Sequence, residues 1–256
     1  MKKILVPTLI AAAVGALAPA AYAAEPESTL AYNAGVVSDY RYRGISQSRL
    51  EPALQGGVDY TDKSGFYVGA WGSSIKWIKD AGTINSVPTA KGPVELDLYG
   101  GYKGAIGDLA YDVGFLRYEY VGNKLAGVGS YVNANTNEVY GAVTYGLFTA
   151  KYSHAISDLF GNPDSKNSYY VDLSASVDLG DGYSLVPHVG YQKIKGAANV
   201  DGSYTDYSLA LAKDLGNGLS ATASVVGTDA SKTFYATPAG KFTGKTGVVV
   251  GLKYSF

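Results

Sequence analysis

The sequence has no cysteine, which removes disulfides and thiolate metal sites. It has only two histidines, His154 and His188, with no ligand cluster around either, so a dedicated zinc or haem site is not expected. The catalytic roles that usually fall to histidine therefore have few candidates. Charged residues make up only 17% of the chain and the formal net charge is −1, which excludes a basic nucleic-acid binder and a charged disordered tail. Beyond residue 23 no apolar run approaches the roughly 20 residues a membrane helix requires. If this chain crosses a bilayer, it does so with strands.

What is present is glycine (33 residues) and tyrosine (23 residues), with valine and threonine frequent and helix formers not grouped at helical spacing. The amino end reads as a secretory leader. Lys2 and Lys3 precede an apolar stretch from Ile4 to Leu17, then Pro19 and the small-residue box Ala21-Tyr22-Ala23. Cleavage after Ala23 would leave one domain, 24–256. Within it about twelve segments alternate apolar and polar residues over lengths suited to tilted membrane strands. The carboxyl end is the clearest: Val248, Val250, Leu252, Tyr254 and Phe256 share one face, and Gly247, Val249, Gly251, Lys253 and Ser255 the other. Tyr169, Val171 and Leu173 likewise oppose Tyr170, Asp172 and Ser174.

The periodicity places strands at 30–47, 52–61, 65–78, 93–104, 108–121, 137–146, 148–157, 168–179, 183–195, 204–214, 218–229 and 246–256. Tight turns alternate with longer polar connections, except for a short first connection around Ser46 to Glu51. Alternation alone also fits a soluble sandwich with one wet face. The turn-and-loop rhythm instead predicts an all-β protein, a transmembrane antiparallel up-and-down β-barrel of twelve strands, with ten or fourteen as alternatives. In 65–78 and 108–121 the alternation is broken by Trp71, Ile75 and Trp77, and by Arg117 and Glu119. A bulge, or a strand projecting beyond the bilayer, accounts for such breaks.

Arg or Lys on the lipid face near the midplane costs about 2–4 kcal/mol, so the charged face must look inward. This assigns Asp39, Arg41, Arg43, Asp59, Glu95, Asp97, Lys103, Lys151, Asp172, Asp178, Asp206 and Lys253 to the lumen or its rims. Tyr32, Tyr60, Tyr102, Tyr111, Tyr169, Tyr183, Tyr191 and Tyr254 suit interfacial aromatic girdles. Asp39, Arg41 and Arg43, at period two on the first strand, form either a rim that orients charged solutes or a brace that neutralises lumenal carboxylates. Paired acids such as Glu95 with Asp97 follow from facing water and lack the partners of a glycosidase. His154 and Ser157 fall on opposite faces of a strand, and His188 has on its own strand face only the distant Ser184. The run 133–138 reads as a polar extracellular loop without calcium-loop spacing.

The stretches Ser38-Asp39-Tyr40-Arg41-Tyr42-Arg43-Gly44-Ile45-Ser46-Gln47-Ser48, Pro52-Ala53-Leu54-Gln55-Gly56-Gly57-Val58-Asp59-Tyr60 and Gly65-Phe66-Tyr67-Val68-Gly69-Ala70-Trp71-Gly72-Ser73 resemble the opening of the TorF-type porins of proteobacteria. The specific match spans about residues 32–74; the rest agrees in length and strand rhythm. The resemblance implies an outer-membrane location and a transport role, without naming a solute. The terminal Tyr254-Ser255-Phe256 resembles the aromatic signal read by the barrel-assembly machinery. The expectation is a bacterial outer-membrane porin for passive diffusion of small hydrophilic solutes, needing no cofactor, with lipid and lipopolysaccharide around it. A structural or adhesive barrel with a closed lumen is the main alternative, and a barrel hydrolase a lesser one.

Overall fold

In the computed structural model, residues 28–85 and 87–256 are described; the expected leader, residues 1–23, lies outside them. Twelve antiparallel strands follow one another round a closed sheet. They are β1 (Thr29–Val37), β2 (Ala53–Thr61), β3 (Phe66–Ser74), β4 (Val94–Ile106), β5 (Leu109–Val121), β6 (Thr136–Tyr145), β7 (Phe148–Ala155), β8 (Tyr169–Ala175 continuing as Val177–Gly180), β9 (Tyr183–Lys193), β10 (Tyr204–Gly216), β11 (Leu219–Thr228) and β12 (Gly247–Ser255). Each strand pairs with its sequence neighbours, and β1 closes on β12 in the register Asn33 opposite Ser255 to Val37 opposite Gly251. Closure leaves no sheet edge, the condition for strands in hydrocarbon, where an unpaired backbone group costs several kcal/mol.

The turns set this order. Asp181-Gly182 and Asn217-Gly218 all have positive φ (49°, 77°, 52° and 82°), the backbone that two-residue hairpins demand. These tight turns, with both barrel termini, form one rim. Longer connections at 38–52, 75–93, 122–135, 156–168, 194–203 and 229–246 crowd the other. Short turns at the periplasmic rim and long extracellular loops are the arrangement of outer-membrane barrels.

Side chains obey the pleat. Along β12, exposure alternates residue by residue, with Val248, Val250, Leu252 and Tyr254 outside. The outer face is equally apolar on β10, where Leu209 and Leu211 are exposed while Asp206 and Ala210 are buried. Aromatic rings band the turn-side rim: Tyr32 stacks on Phe256 at 5.7 Å, and Phe66 meets Tyr102 at 4.9 Å. Near the loop-side rim, Tyr169 lies between Tyr152 and Tyr191 at 5.9 and 6.4 Å.

The sequence-predicted segments match the twelve strands, with two corrections. β1 ends at Val37, not at residue 47, and the first connection is a long loop rather than a short exception. Ser38 ends the strand by accepting the Val250 amide on its hydroxyl at 3.0 Å, and the chain then turns into the barrel. β3 ends at Ser74, and Trp77–Ala81 forms a short helix instead of more strand. The irregular pattern of 109–121 is not a bulge, since its pairing runs unbroken on both sides. Arg117 and Glu119 pair with each other on the outer face toward the loops, where the strand leaves the hydrocarbon. Register shifts occur beside the tight turns, at Asp178/Gly180 and Asp214/Gly216.

Replacing Leu209 by Arg is expected to lower the stability of the vesicle-inserted barrel by about 2–4 kcal/mol, because a guanidinium charge would face lipid near mid-strand. Equilibrium denaturation in lipid vesicles measures it; an unchanged midpoint would place that face elsewhere.

Candidate functional site in the barrel lumen

The loop 38–52 does not project outward. A two-residue ribbon, Arg41–Tyr42 against Ile45–Ser46, turns at Arg43 and Gly44, with φ of 47° and 78°. A Cβ on Gly44 would stand 2.5 Å from Thr228 Cγ2 and 2.7 Å from Asp206 Cβ, so the tip is pressed against β10 and β11. Tyr40, Arg41, Arg43, Ser46 and Ser48 are each no more than 8% exposed, so the loop is packed inside the wall rather than bathed in water.

Its polar groups are satisfied almost one by one. Asp39 accepts from Arg41 Nε and from the Ser46 hydroxyl at 2.5 Å. Arg41 donates to the carbonyls of Gly44 (2.8 Å), Thr243 (3.1 Å) and Lys245 (3.0 Å), fastening this loop to the last one. Tyr40 donates to Glu95 at 2.5 Å, and the Tyr42 and Tyr118 hydroxyls meet. Arg43 crosses the lumen: its guanidinium donates to both Glu138 oxygens at 3.1 and 2.8 Å and to Gln192 at 2.6 Å. It also lies over the rings of Tyr42 and Tyr170, 4.8 and 4.4 Å from their centroids. A planar cation held by a carboxylate fork, an amide and two aromatic faces is a rigid crossbar. At the loop's far end, Arg49 pairs with Asp80, and the hydrogen bond from Lys76 holds the Glu51 carboxyl below its ordinary pKa.

Toward the turn-side rim the wall is polar. Tyr99 donates to Asp59 at 2.5 Å, and Tyr67 to Asp112 at 2.6 Å. Lys103 stands 4.6 Å from the Tyr67 ring centroid and Lys151 4.3 Å from that of Tyr140. The Lys253 ammonium and one Asp97 oxygen are buried without a hydrogen-bond partner. Carboxyl groups in the lumen (Asp39, Asp59, Glu95, Asp97, Asp112, Glu138, Asp172, Asp206) outnumber the basic groups Arg41, Arg43, Lys103, Lys151, His188 and Lys253.

Asp59, Glu95, Asp97, Lys103, Lys151, Asp172, Asp206 and Lys253 thus occur on inward faces of strands. Asp39, Arg41 and Arg43 are inside the barrel too, but on the inserted loop, so they do not stack along a strand face; Asp39 and Arg41 touch, while Arg43 reaches the opposite wall. Asp178 is exposed at the turn-side rim, where it accepts the Gly180 amide at 2.8 Å. Glu138 is not among the lumenal charges expected from sequence, where the polar run 133–138 reads as loop and overlaps the strand at 137–146. β6 begins at Thr136, and the alternation of Glu138, Tyr140, Ala142 and Thr144 against Val139, Val143 and Tyr145 was the available signal. Gln192 and Tyr170 were on the polar faces that the periodicity gave, with nothing to mark them as partners of Arg43.

His188 has serines across the ladder, Ser174 on β8 and Ser208 on β10, which a one-strand reading could not see. Its Nε2 lies 2.7 Å from Asp172 and its Nδ1 3.6 Å from Asp206. Nε2 is also 3.1 Å from the Tyr170 hydroxyl, so it is shared between a carboxylate and a phenol, and no serine hydroxyl is hydrogen-bonded to the ring among the described residues. His154 is on the outer face beside Tyr152, 3.0 Å from its hydroxyl, away from the lumen. Among the described residues no group of three or more His, Cys, Asp or Glu is placed to hold a metal ion, and no helix is long and apolar enough to cross a membrane.

A sealed sheet with an apolar outer band, aromatic girdles and an ionisable interior defines a transmembrane β-barrel with a porin-like channel fold. The chain belongs to the family described as bacterial protein of unknown function (Gcw_chp), whose model matches residues 20–256. A bacterial barrel of this kind resides in the outer membrane. No curated protein matches the chain by sequence. Among solved structures it is similar to the NanC porin (TM-score 0.53, 9% identity, 89% of this chain and 99% of that one). It is also similar to the KdgM porin, alone and in complex with disordered oligogalacturonate (each TM-score 0.51, 10% identity, 90% and 99%). At such identities the likeness concerns the fold.

Arg43→Met removes the partner of a buried carboxylate, and breaking such a pair costs about 3–5 kcal/mol. Loop 38–52 should then be released, with faster proteolytic cutting near Arg49 in the folded barrel. A cutting rate equal to that of the wild type would contradict the crossbar role.

Proposed function

We propose that the protein is a narrow outer-membrane channel for passive diffusion of small hydrophilic solutes, constricted by the loop 38–52. The observation that carries this reading is the cluster of ionisable side chains on the inner face of a sealed wall whose outer face is apolar along its middle, with outer-face charges such as Arg117 and Glu119 near its rims. A polar, mixed-charge lining lowers the cost for a solute of leaving water, and rings of charged side chains set which solutes pass. The excess of carboxyl groups favours cations. Asp39, Arg41, Arg43, Asp59, Glu95, Asp97, Lys103, Lys151, Asp172, Asp206 and Lys253 would line or narrow the path, with Asp178 at its exit. The resemblance of residues 32–74 to TorF-type porins supports the reading. So does the barrel fold shared with porins, one of which is described in complex with an oligogalacturonate. Transport of this kind uses no cofactor and no covalent chemistry.

The leader would be removed after Ala23, leaving 24–256 as the barrel domain, and Tyr254 and Phe256 would be the signal for the assembly machinery. Lipid and lipopolysaccharide would contact the apolar band and the Arg117–Glu119 pair. One observation favours a second reading, a structural or adhesive barrel with a closed lumen: the inserted loop is tightly packed and its hydrogen bonds nearly complete.

Planar-bilayer recording separates the two. The channel reading predicts small discrete steps from the wild type with cations preferred over anions. Larger steps are expected when residues 40–47 are replaced by a glycine-serine linker, and Lys253→Glu should strengthen the cation preference. Silence from both wild type and loop variant, with the protein shown to be folded, would contradict a channel and leave the structural barrel.

A further inference from the structure

Above the inserted loop lies a cavity of about 160 Å³ that the channel reading does not explain. It is lined on one side by Tyr42, Trp77, Tyr120, Tyr131 and Phe160. These rings brace one another, Trp77 against Tyr120 at 5.0 Å and Tyr42 against Phe160 at 5.6 Å. Tyr204, Phe234 and Tyr235 form a second aromatic group in the lining, with Tyr235 5.1 Å from Tyr204 and 4.9 Å from Phe234. Hydroxyl and amide groups of Ser46, Gln47, Asn162, Gln192, Thr237 and Thr243 are set among them, each already hydrogen-bonded within the protein and open only to shared bonds, while the Trp77 indole N–H is buried with no partner. The charged member of the lining is Asp80, whose carboxylate is taken up by Arg49, at 2.9 Å from Nε and by a second bond from Nη2. Among the described residues, no lysine, arginine or histidine lines the cavity.

These features select a ligand. Without a lining cation the site has nothing to pair with an anion, and its carboxylate is already neutralised, so a cationic ligand gains little either. Rigid aromatic surfaces with scattered neutral donors and acceptors suit a molecule that has apolar ring faces and a hydroxylated edge. The volume is below the roughly 300–1,000 Å³ of drug-sized sites, so the molecule is small. We propose that the loop-side cavity is a binding site for a neutral saccharide of one or two rings. The proposal deepens the channel reading by naming a solute class and rests on it for passage alone; binding at the mouth is measurable without conduction.

The chain has two tryptophans, one of them Trp77 in this wall, so intrinsic fluorescence reports occupancy. Full-length mature protein in detergent is titrated with glucose, maltose, galacturonate and choline, and sugar binding is measured independently by equilibrium dialysis. A saturable response to glucose or maltose is expected, with galacturonate and choline weaker. Tyr131→Ala and Phe234→Ala, both in loops, should each weaken sugar binding about tenfold through lost ring contact. No saturable sugar binding by either method would overturn the proposal. So would tighter binding of galacturonate or choline, or affinity unchanged in both variants. Sugar binding by a protein that is silent in bilayers would uphold the site and count against the channel, so the two failures are distinguishable.

Discussion

Hydrocarbon offers no hydrogen bonds, and every backbone amide and carbonyl that enters it must find its partner within the protein. With no helix among the described residues long and apolar enough to span, that constraint forces the pairing of β1 with β12, from Asn33 opposite Ser255 to Val37 opposite Gly251. Once the sheet is closed, the pleat decides the rest. Alternate side chains have lipid or lumen as their surroundings, and Val248, Val250 and Leu252 go one way while Val249, Gly251 and Lys253 go the other. The interior rich in carboxyl groups and tyrosine is a consequence of closure as much as the apolar exterior is.

The same constraint shapes the inserted loop. Ionisable groups drawn inside a narrow wall need partners, and the loop supplies them: Arg43 to Glu138 and Gln192, Tyr40 to Glu95, Arg41 to the carbonyls of the last loop. The loop packs the part of the interior next to the long connections, while Lys103, Lys151, Asp59 and Asp112 line the wall on the turn side. Above the loop, the aromatic cavity faces the outside. A solute crossing this barrel would meet rings and neutral polar groups first, then the crossbar, then a wall of mixed charge.

Much of this was legible from local pattern. Period-two alternation and turn residues such as Asp181-Gly182 and Asn217-Gly218 are properties of a few neighbouring residues, and they located all twelve strands. The end of β1 was not legible, because Asp39, Arg41 and Arg43 alternate with Tyr40 and Tyr42 as a strand would. What diverts the chain is distant: the carboxylate of Glu138, the amide of Gln192 and the ring of Tyr170, which only the closed barrel brings together. For the same reason most individual charges of the lumen could be named from sequence while their pairing could not. The serines beside His188 and the aromatic cavity likewise exist only across strands and between loops.

The absence of cysteine makes the central claim directly measurable. Single cysteines placed in turn at residues 248 to 253 can be challenged, in membranes, with a water-soluble thiol reagent and with a lipid-soluble one. Closure predicts strict alternation, with 248, 250 and 252 reacting with the lipid-soluble reagent and 249, 251 and 253 with the water-soluble one. Uniform reaction of all six positions with the water-soluble reagent would contradict a sealed barrel in the membrane.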